Sequence, residues 1–530
     1  MRRRSFLATS SLGLSQVLAA PGIGAGTRSL IFVPQATLTS IDPVSNASMV
    51  TRNLGLMVYE SLYTRDASMA AHPQMVEADQ VEQDGRRWTM RLRRPLTWHD
   101  GTPVLARDCV ASLKRWMVRD QGGQVLATRL DAVEAADDRT IVFRLNRRFP
   151  HLRSLLGRFN SPAVMMPERI AGTDPYKSIP EAIGCGPFRF LADEYVPGSR
   201  AVFARFEAYV PRDEPPSFAA GGRRVLLDRV EWQMIPDAST AANALVTGEV
   251  DWVEIPQADL TPMLTRTPHV RTGVLDEFGQ LPEVRINHLV APTANVDIRR
   301  AMLAAIDQRE VMTAIFGDSS NWVAPNWVAP VGFLFTGKPE VDEAGMDATR
   351  HRPGRDAVKA MLDRAGYRGE KLVMLHAGDH NVYNPGSLVV ADQLRAAGFV
   401  IDDQVMDWGT VMRRRTTMEP LEKGGWSLFV TASPAAEYRD PLVAAFIRGD
   451  GRKGFYGWPS DPRIEQLYVD WIDSDDPATL TRIEREWQQR CFEIVTHLPL
   501  GRFVLPSAWR DNVAGLLKGP APVFWNVTKS

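Results

Sequence analysis

The segment 371–406 constrains the fold most strongly, because it alternates a strand, a helix and a second strand. "KLVMLHA" (371–377) and "VIDDQVM" (400–406) are apolar runs typical of strands, and "LVVADQLRAAGF" (388–399) between them is typical of a helix. A strand–helix–strand unit is characteristic of α/β proteins, in which helices cover the faces of a sheet. The sequence therefore predicts an α/β fold with a three-layer region here.

Further strands and helices are predicted on both sides of this unit. Strands are expected at 29–34, 86–92, 140–145 and 229–235, and "GCGPFRF" (184–190) with "SRAVFARF" (199–206) suggests a hairpin. One long amphipathic helix is predicted for "VDIRRAMLAAIDQREVMTAIF" (296–316). Other helices are predicted at 106–117, 237–248, 354–367, 462–474 and 480–495.

Length and composition indicate a large globular protein. The 530 residues correspond to about three domains as a soft expectation. Apolar residues make up 44% and charged residues 24%, which is ordinary for a packed protein. The formal net charge is −1, and no long basic stripe is present, so we expect no nucleic-acid partner.

The first 27 residues are typical of an export signal. Arg2, Arg3 and Arg4 open the chain, an uncharged and weakly apolar stretch follows, and no acidic residue occurs before Asp42. "RRSFL" resembles the twin-arginine motif, and small residues suggest cleavage between about residues 19 and 27. We therefore expect residues 1–27 to be a signal peptide and the mature protein to be periplasmic.

Several short patterns resemble binding motifs, but each lacks a residue or a spacing that the motif requires. "GFLFTGKP" (332–339) matches a phosphate-binding loop up to Lys338, but Pro339 replaces the hydroxyl residue that the motif needs. His376 and His380 lie four residues apart after a strand, where helical spacing does not apply. The three cysteines are too few and too widely spaced for a disulfide framework or a zinc site.

"TWHDGTP" (97–103) allows two interpretations. His99 and Asp100 could bind a metal or transfer a proton, or the segment could be a turn. Asp-Gly favours the turn, since Gly101 can adopt a positive φ without steric cost.

Several segments, in the same order, resemble one family. The chain is similar to the extracellular family 5 solute-binding proteins, which deliver dipeptides, oligopeptides or nickel chelates to ABC importers. The similar segments are "IDPVSNASMVTRNLGLMVYESLY", "RRWTMRLRRPLTWHDGTPVLARDCVASLKR", "GCGPFRF", "IPDASTAANALVTGEVDWVE", "DIRRAMLAAIDQREVM", "AMLDRAGY" and "GRFVLPSAWRDNVAGL". They span almost the whole mature chain.

The resemblance implies a two-lobe periplasmic binding protein of type II, the Venus flytrap class. Lobe I would comprise residues 28–280, with an extra subdomain at about 61–180, and lobe II residues 281–495. Residues 496–530 would return to lobe I. In this family "HDG" is a structural turn, which favours the second interpretation of His99. At position 105 members often carry a helix-capping Thr or Asn, whereas this chain has Leu105.

The resemblance also implies ligand-binding residues in "EYRDP" (437–441). Family peptide binders hold the N-terminal ammonium of the peptide with an acidic residue, which here corresponds to Glu437. The alternative is a loop salt bridge, since Arg439 and Asp440 follow Glu437 closely and could pair with it instead of a ligand. Further candidates for the ligand site are Tyr438, Asp440, Trp408 and Tyr59, although each aromatic side chain could equally belong to the core.

The expected function is to capture a peptide or peptide-like solute and deliver it to an inner-membrane ABC permease with its ATPase subunits. We expect a monomer that needs no cofactor and has no catalytic or metal residues. A receptor for a sugar, an opine or a metal chelate is the variant within the same class. The alternative from another class is an exported hydrolase or metal-dependent enzyme, against which the lack of a recognisable nucleophile motif argues.

Overall fold

The computed structural model describes residues 28–46, 48–317, 327–439, 441–442 and 444–530. The predicted signal peptide, residues 1–27, lies outside the described residues, as does Asp440.

Two large mixed sheets organise the described chain. The strands of the first sheet lie in the order Phe188–Phe190, Arg200–Arg205, Arg229–Gln233, Ser29–Val33, Trp252–Val253, Ser507–Arg510 and Val270–Gly273. Those of the second sheet lie in the order Trp327–Val328, Arg502–Phe503, Gln280–Ile286, Leu428–Pro434, Lys371–Ala377 and Val400–Met406, and His497–Pro499 also pairs with Gln280–Ile286.

The chain crosses between the two large sheets twice, at residues 274–279 and at residues 504–506. The second crossing falls later than the expected boundary at residue 496, because His497–Pro499 and Arg502–Phe503 still pair in the second sheet. The chain re-enters the first sheet at Ser507, where it pairs with Gly273.

A four-stranded antiparallel sheet is inserted within the part of the chain that builds the first sheet. Its strands lie in the order Val76–Glu82, Arg87–Leu92, Thr140–Leu145 and Leu130–Ala135. Short strand pairs are formed by Glu60–Ser61 with Val164–Met165, Tyr63–Arg65 with Ala71–Pro73, and Val513–Ala514 with Thr528–Lys529.

Helices cover these sheets. They span Met49–Val58, Ala106–Arg119, Gln121–Arg129, Leu152–Leu156, Glu168–Ala171, Ala238–Thr247, Thr261–Arg266, Val296–Ala305, Gln308–Phe316, Pro339–Asp342, Asp347–Arg350, Arg355–Arg364, Tyr383–Ala396, Trp408–Arg414, Pro462–Asp473 and Pro477–Ile494. The predicted strand–helix–strand unit is confirmed, since Lys371–Ala377 and Val400–Met406 pair in parallel and Tyr383–Ala396 connects them.

The prediction of one long helix at 296–316 is wrong. The structure has two helices: the first ends at Ala305, before Ile306, and the second begins at Gln308, after Asp307. Asp307 has extended backbone angles, and its carboxylate accepts a hydrogen bond from the amide of Glu310. Asp307 therefore caps a new helix, which is the position that Asp favours over a helix interior.

Candidate ligand-binding cleft

Cavities lie where the first sheet faces the second. The parallel strands Ser29–Val33, Arg229–Gln233 and Trp252–Val253 end at the same edge of the first sheet. A cavity of about 580 Å³ at this edge is lined by residues that follow these strands, including Gln35, Pro236 and Ile255, and by residues of the other part such as Ile315 and His380. Ligands in α/β proteins commonly bind outside the carboxyl ends of parallel strands.

A buried polar network lies beside this edge. Arg52 donates to Oδ1 of Asn53 through Nε at 3.1 Å and Nη2 at 2.8 Å. The side-chain amide of Asn53 donates to Oε1 of Glu254 at 3.2 Å, and the backbone N–H of Gln35 donates to Oε2 of Glu254 at 2.8 Å. Helix Met49–Val58 therefore presents a guanidinium to the end of strand Trp252–Val253.

Three carboxylates interact electrostatically with the guanidinium of Arg52. Burial lowers the pKa of Arg52, and the charges of Glu254, Glu437 and Asp276 oppose that shift. Burial raises the pKa of Glu254 and Glu437, and it raises the pKa of Asp276 to about 6. Asp276 lies in the first crossing and Glu437 beside the second sheet, so the cluster joins both parts of the molecule.

Glu437 lines a second cavity between the two parts. This cavity encloses about 260 Å³ and is bordered by Arg65, Ser68, Met69, Ala70, Arg158, Phe159, Asn160, Thr336, Lys338, Ala436, Glu437 and Arg439. Glu437 is only 9% exposed, and its Oε1 has no hydrogen-bond partner among the described residues. Buried polar atoms are nearly always paired, so this oxygen can accept a donor from a bound solute.

The loop salt bridge expected as the alternative is not formed with Arg439. Within the described part of the chain, no ion pair joins Arg439 to Glu437, and the guanidinium of Arg439 lies over the ring of Phe278 at 5.3 Å. The charges of Arg158 and Arg52 partly offset the rise in the pKa of Glu437 that burial causes.

Tyr438 faces the core instead of the Glu437 cavity. Its side chain is buried, its hydroxyl donates to Oε2 of Glu283 at 3.1 Å, and its ring stacks on Phe446 at 5.7 Å. Asp440 belongs to the residues that the structure does not describe.

Tyr59 and Trp408 also lie away from this cavity. Tyr59 is 1% exposed within an apolar cluster of the first sheet, and burial raises the pKa of its hydroxyl. Trp408 begins a helix, donates its backbone N–H to Asp379 at 2.8 Å and packs on Tyr383 at 4.8 Å. Of the proposed ligand residues that the structure describes, it therefore brings only Glu437 to the cavity.

The segment that resembles a phosphate-binding loop has its amides occupied by a carboxylate. Asp342 accepts hydrogen bonds from the backbone N–H groups of Thr336 at 2.7 Å and Gly337 at 3.0 Å. Only a four-residue helix, Pro339–Asp342, follows. The carboxylate of Asp342 thus occupies the loop amides that a phosphate would need, and Lys338 pairs with Glu484 at 2.6 Å.

The two histidines of "HAGDH" have separate partners. His376 contacts the carboxylate of Asp403 at 3.0 Å, and His380 stacks on Tyr383 at 3.6 Å. Among the residues that the structure covers, no group of three or more His, Cys, Asp or Glu side chains is placed to hold a metal.

His99 is a structural residue in a turn, as the second interpretation predicts. Gly101 has φ +87°, and the backbone N–H of Trp98 donates to the carbonyl of Thr102 at 2.8 Å. Nε2 of His99 lies 3.0 Å from the carbonyl oxygen of Gly186, so this nitrogen donates. Burial lowers the pKa of His99 to about 4, so the imidazole is neutral at pH 7.

Sequence reasoning missed Arg52, Asn53 and Glu254. A signal was present, because Arg52 and Asn53 interrupt an otherwise apolar helix and Glu254 directly follows a buried strand. Their contact could not be inferred, since Asn53 and Glu254 are separated by 201 positions.

These features define a class of protein: two α/β parts joined by two crossings, with polar cavities between them. This is the architecture of a type II periplasmic binding protein. In the described ranges, no helix is long and apolar enough to cross a membrane.

Comparison with known proteins gives the family. Residues 70–449 match the family model of the bacterial extracellular solute-binding proteins, family 5. A probable peptide ABC transporter periplasmic-binding protein of Sinorhizobium fredii is 35% identical over 93% of this chain and 92% of its own. The dipeptide-binding protein DppE of Bacillus subtilis is 25% identical over 91% and 88% of the two chains.

Solved structures agree on the fold. A dipeptide-binding protein of Pseudoalteromonas, in complex with Met-Leu, has a TM-score of 0.75 at 16% identity and covers 95% of this chain and 100% of its own. The binding protein AgaA from Agrobacterium, in complex with agropinic acid, has a TM-score of 0.77 at 18% identity over 95% and 99% of the chains. The protein belongs to the family 5 extracellular solute-binding proteins, and it is a binding protein and not an enzyme.

Proposed function

We propose that this protein captures a peptide or peptide-like solute that carries a free amine and delivers it to an inner-membrane ABC permease with its ATPase subunits. The relatives support the class of solute, because the similar protein of Sinorhizobium fredii is described as a probable peptide ABC transporter component. Residues 28–273 with 507–530 would form lobe I, and residues 280–503 would form lobe II.

The observation that carries the proposal is Oε1 of Glu437, which has no hydrogen-bond partner among the residues that the structure describes. A carboxylate buried without a partner is costly, and a cation that enters the cavity removes that cost. An ammonium group donates up to three hydrogen bonds, so the amine of a peptide suits this oxygen. Arg158 does not supply this cation, because Nη1 of Arg158 already donates to both carboxylate oxygens of Asp120 at 2.8 Å.

Two experiments test the proposal. Native mass spectrometry of the purified protein should reveal a co-purified small molecule, and chemical analysis should find a free amine in it. A solute without an amine, such as a neutral sugar, would contradict the role of Glu437. Incubation with a peptide library should give binding without turnover, and sustained product formation would contradict a receptor.

Export through the twin-arginine route and a monomeric state complete the proposal. Arg3 and Arg4 followed by an acid-free stretch support the route. Changing both residues to Lys should abolish accumulation in the periplasm, measured by fractionation and immunoblotting. The matched control changes Arg86 and Arg87, outside the leader, to Lys, and should export normally. Unchanged export of the Arg3 and Arg4 variant would exclude this route.

A further inference from the structure

The inserted four-stranded sheet contacts the other part of the molecule at a place away from the Glu437 cavity. We call residues 76–156 the insertion; they lie within the first part of the chain, which builds the first large sheet. Residues 471–475 belong to the second part and lie at the end of helix Pro462–Asp473. The residues of this contact are not among those that border the Glu437 cavity. The contact therefore joins the two parts without touching a solute bound at Glu437.

Ion pairs form one half of this contact. Nη1 of Arg129 lies 2.5 Å from Oδ1 of Asp473, and Arg147 donates to Oδ2 of the same carboxylate. Beside them, Nη2 of Arg148 lies 2.8 Å from Oδ2 of Asp475. Three arginines of the insertion thus hold two carboxylates of the second part.

A pair of stacked rings forms the other half. The imidazole of His151 lies 4.1 Å from the ring of Trp471, and the two planes are 13° apart. Nε2 of His151 also lies 3.1 Å from the carbonyl oxygen of Trp471, so this nitrogen donates. Trp471 is buried, and its Nε1 donates to Glu484 at 3.0 Å. The imidazole therefore rests on a side chain that is fixed within the second part.

The insertion is attached more firmly to the first part than to the second. Arg115 of the insertion pairs with Asp42 of the first part at 2.8 Å, and the two side chains are 1% and 0% exposed. In the contact with the second part, Arg147, Arg148 and Asp475 are 57%, 39% and 63% exposed. Separating a buried pair costs far more than separating an exposed one. When the two parts rotate, we therefore expect the contact with the second part to open while the insertion stays on the first part.

A cavity beside this contact shows that the two parts do not pack continuously here. It encloses about 510 Å³ between helix Gln121–Arg129 of the insertion and residues of the second part such as Leu442 and Tyr468. Arg129 lies at its border. The ion pairs and the stacked rings thus bridge a gap between two surfaces that are otherwise incompletely packed.

We infer that this contact is a latch that favours the closed arrangement of the two parts, so that residues away from the solute set part of its affinity. The latch consists of Arg129, Arg147, Arg148 and His151 of the insertion and Trp471, Asp473 and Asp475 of the second part. A contact made only in the closed form raises the closed fraction, and a solute that binds that form then binds more tightly. Exposed ion pairs are individually weak and are screened by salt, so the latch biases the free protein and the solute completes closure.

The latch depends on the fold, and only its effect on affinity rests on the proposed function, so two measurements separate them. The proteins are the wild type, Arg148→Asp, Asp475→Arg and the double variant that exchanges the two charges. The matched control is Arg144→Asp, which breaks an ion pair with Glu134 at 2.6 Å inside the insertion. The side chains of this control pair are exposed to a similar degree, 53% and 42%.

The first measurement is small-angle X-ray scattering of the solute-free proteins at low salt. Each single latch variant should have a larger radius of gyration than the wild type, because like charges then face each other across the contact. The double variant and the control should match the wild type. At about 1 M NaCl, where the Debye length is about 3 Å, the radii of the wild type and the single variants should converge.

The second measurement is calorimetry with the peptide that the wild type retains most tightly from a library of dipeptides and tetrapeptides. Each single variant should bind it about threefold to tenfold more weakly, and the double variant should recover to within about twofold. The set of retained peptides should stay the same, because the latch residues do not border the Glu437 cavity. Thermal melting should be unchanged, which separates a latch from a general loss of stability.

Unchanged scattering and affinity in both single variants would overturn the latch and leave the proposed function standing. A loss that the exchange of charges does not recover would overturn it as well, because the ion pair would then not be the cause. If the wild type retains no peptide but the radii respond as expected, the latch stands and the proposed function fails.

Discussion

At the scale of single residues, Glu437 differs from the other buried carboxylates in the cluster around Arg52. Glu254 accepts hydrogen bonds from Gln35 and Asn53, and Asp276 accepts from the amides of Phe278 and Gly279. Within the part of the chain that the structure covers, one oxygen of Glu437 has no such donor. The first two carboxylates are therefore structural, and we propose that Glu437 is the one that meets the solute.

Replacing Glu437 by Gln should weaken solute binding by about 30-fold to several-thousand-fold, since removing one member of a buried charge pair costs about 2–5 kcal/mol. Gln keeps the size and removes the charge. Calorimetry with the cognate solute measures the loss. The control Glu422→Gln changes an exposed side chain and should bind normally. A loss below about threefold would remove Glu437 from the site.

The same carboxylate should make binding depend on pH. Burial raises the pKa of Glu437 in the free protein, so its charge is lost at a higher pH than for an exposed Glu. Affinity for an amine-bearing solute should therefore fall as the pH falls from 7 towards 5. The Glu437→Gln variant should show a flatter profile, and equal slopes for both proteins would contradict this assignment.

His99 should affect stability but not binding. Its pKa is lowered to about 4 in the folded protein, against about 6.5 when unfolded, so the unfolded chain takes up protons first as the pH falls. The stabilisation that a neutral His99 provides is complete above pH 6.5 and is lost progressively towards pH 4. Between pH 7 and pH 5 the change should be roughly 2 kcal/mol.

Urea unfolding at pH 7 and pH 5 measures this change. The His99→Gln variant should lose less stability between the two pH values than the wild type does. The control His351→Gln, whose side chain is 82% exposed, should behave like the wild type. An unchanged pH dependence in His99→Gln would show that the imidazole is not held neutral.

At this scale the sequence pointed to Glu437, which lines a cavity in the structure and whose role in binding stays a prediction, but it did not predict the surroundings of that residue. Glu437 was found through its neighbours in "EYRDP", yet Tyr438 faces Glu283 in the core. Successive side chains of the turn Ala435–Arg439 point in different directions, which a sequence pattern does not reveal. Arg52 was missed because the carboxylates whose charges act on it, Glu254, Glu437 and Asp276, come from distant segments of the chain.

At the scale of elements, local signals predicted strands and helices well where a cap or a turn residue was present. Helix Ala238–Thr247 begins after Asp237 and ends at Gly248, which has φ +82°. The break at Asp307 was missed because the apolar spacing continues through it. Periodicity does not show a capped interruption, although Asp307 followed by Glu310 is itself a capping signal.

The helix Ala106–Arg119 offers a test of capping. Its N-cap residue is Leu105, whose side chain forms no capping hydrogen bond. The carboxylate of Asp108 accepts a hydrogen bond from the backbone N–H of Leu105 at 2.9 Å. Half of a capping box is therefore present. Leu105→Ser should complete it and be more stable than Leu105→Ala by about 1 kcal/mol, because only Ser supplies the missing acceptor. Thermal unfolding compares the two, and equal stability would contradict the prediction.

At the scale of the whole molecule, the two-part organisation came from the resemblance and the sheet pairing refined it. The sequence shows the strands, but the assignment of His497–Pro499 and Arg502–Phe503 to the second sheet depends on their pairing with Gln280–Ile286, more than 200 positions away. Such contacts leave no trace in local periodicity. The backbone passes between the two large sheets at residues 274–279 and 504–506, so we expect any rotation of the two parts to occur about these segments.

Ligand-driven closure follows if the solute contacts both parts. A solute that pairs with Glu437 and also touches residues such as Met69 or Phe159 binds the closed form more tightly than the open form. The free energy of those extra contacts shifts the population towards closure.

Small-angle X-ray scattering of the mature protein, with and without saturating cognate solute, tests the central claim most directly. We predict a smaller radius of gyration with solute. The Glu437→Gln variant at the same solute concentration should keep the profile of the free protein, and it should close only when much more solute is added. Superimposable profiles for the wild type with and without saturating solute would contradict capture between two closing lobes.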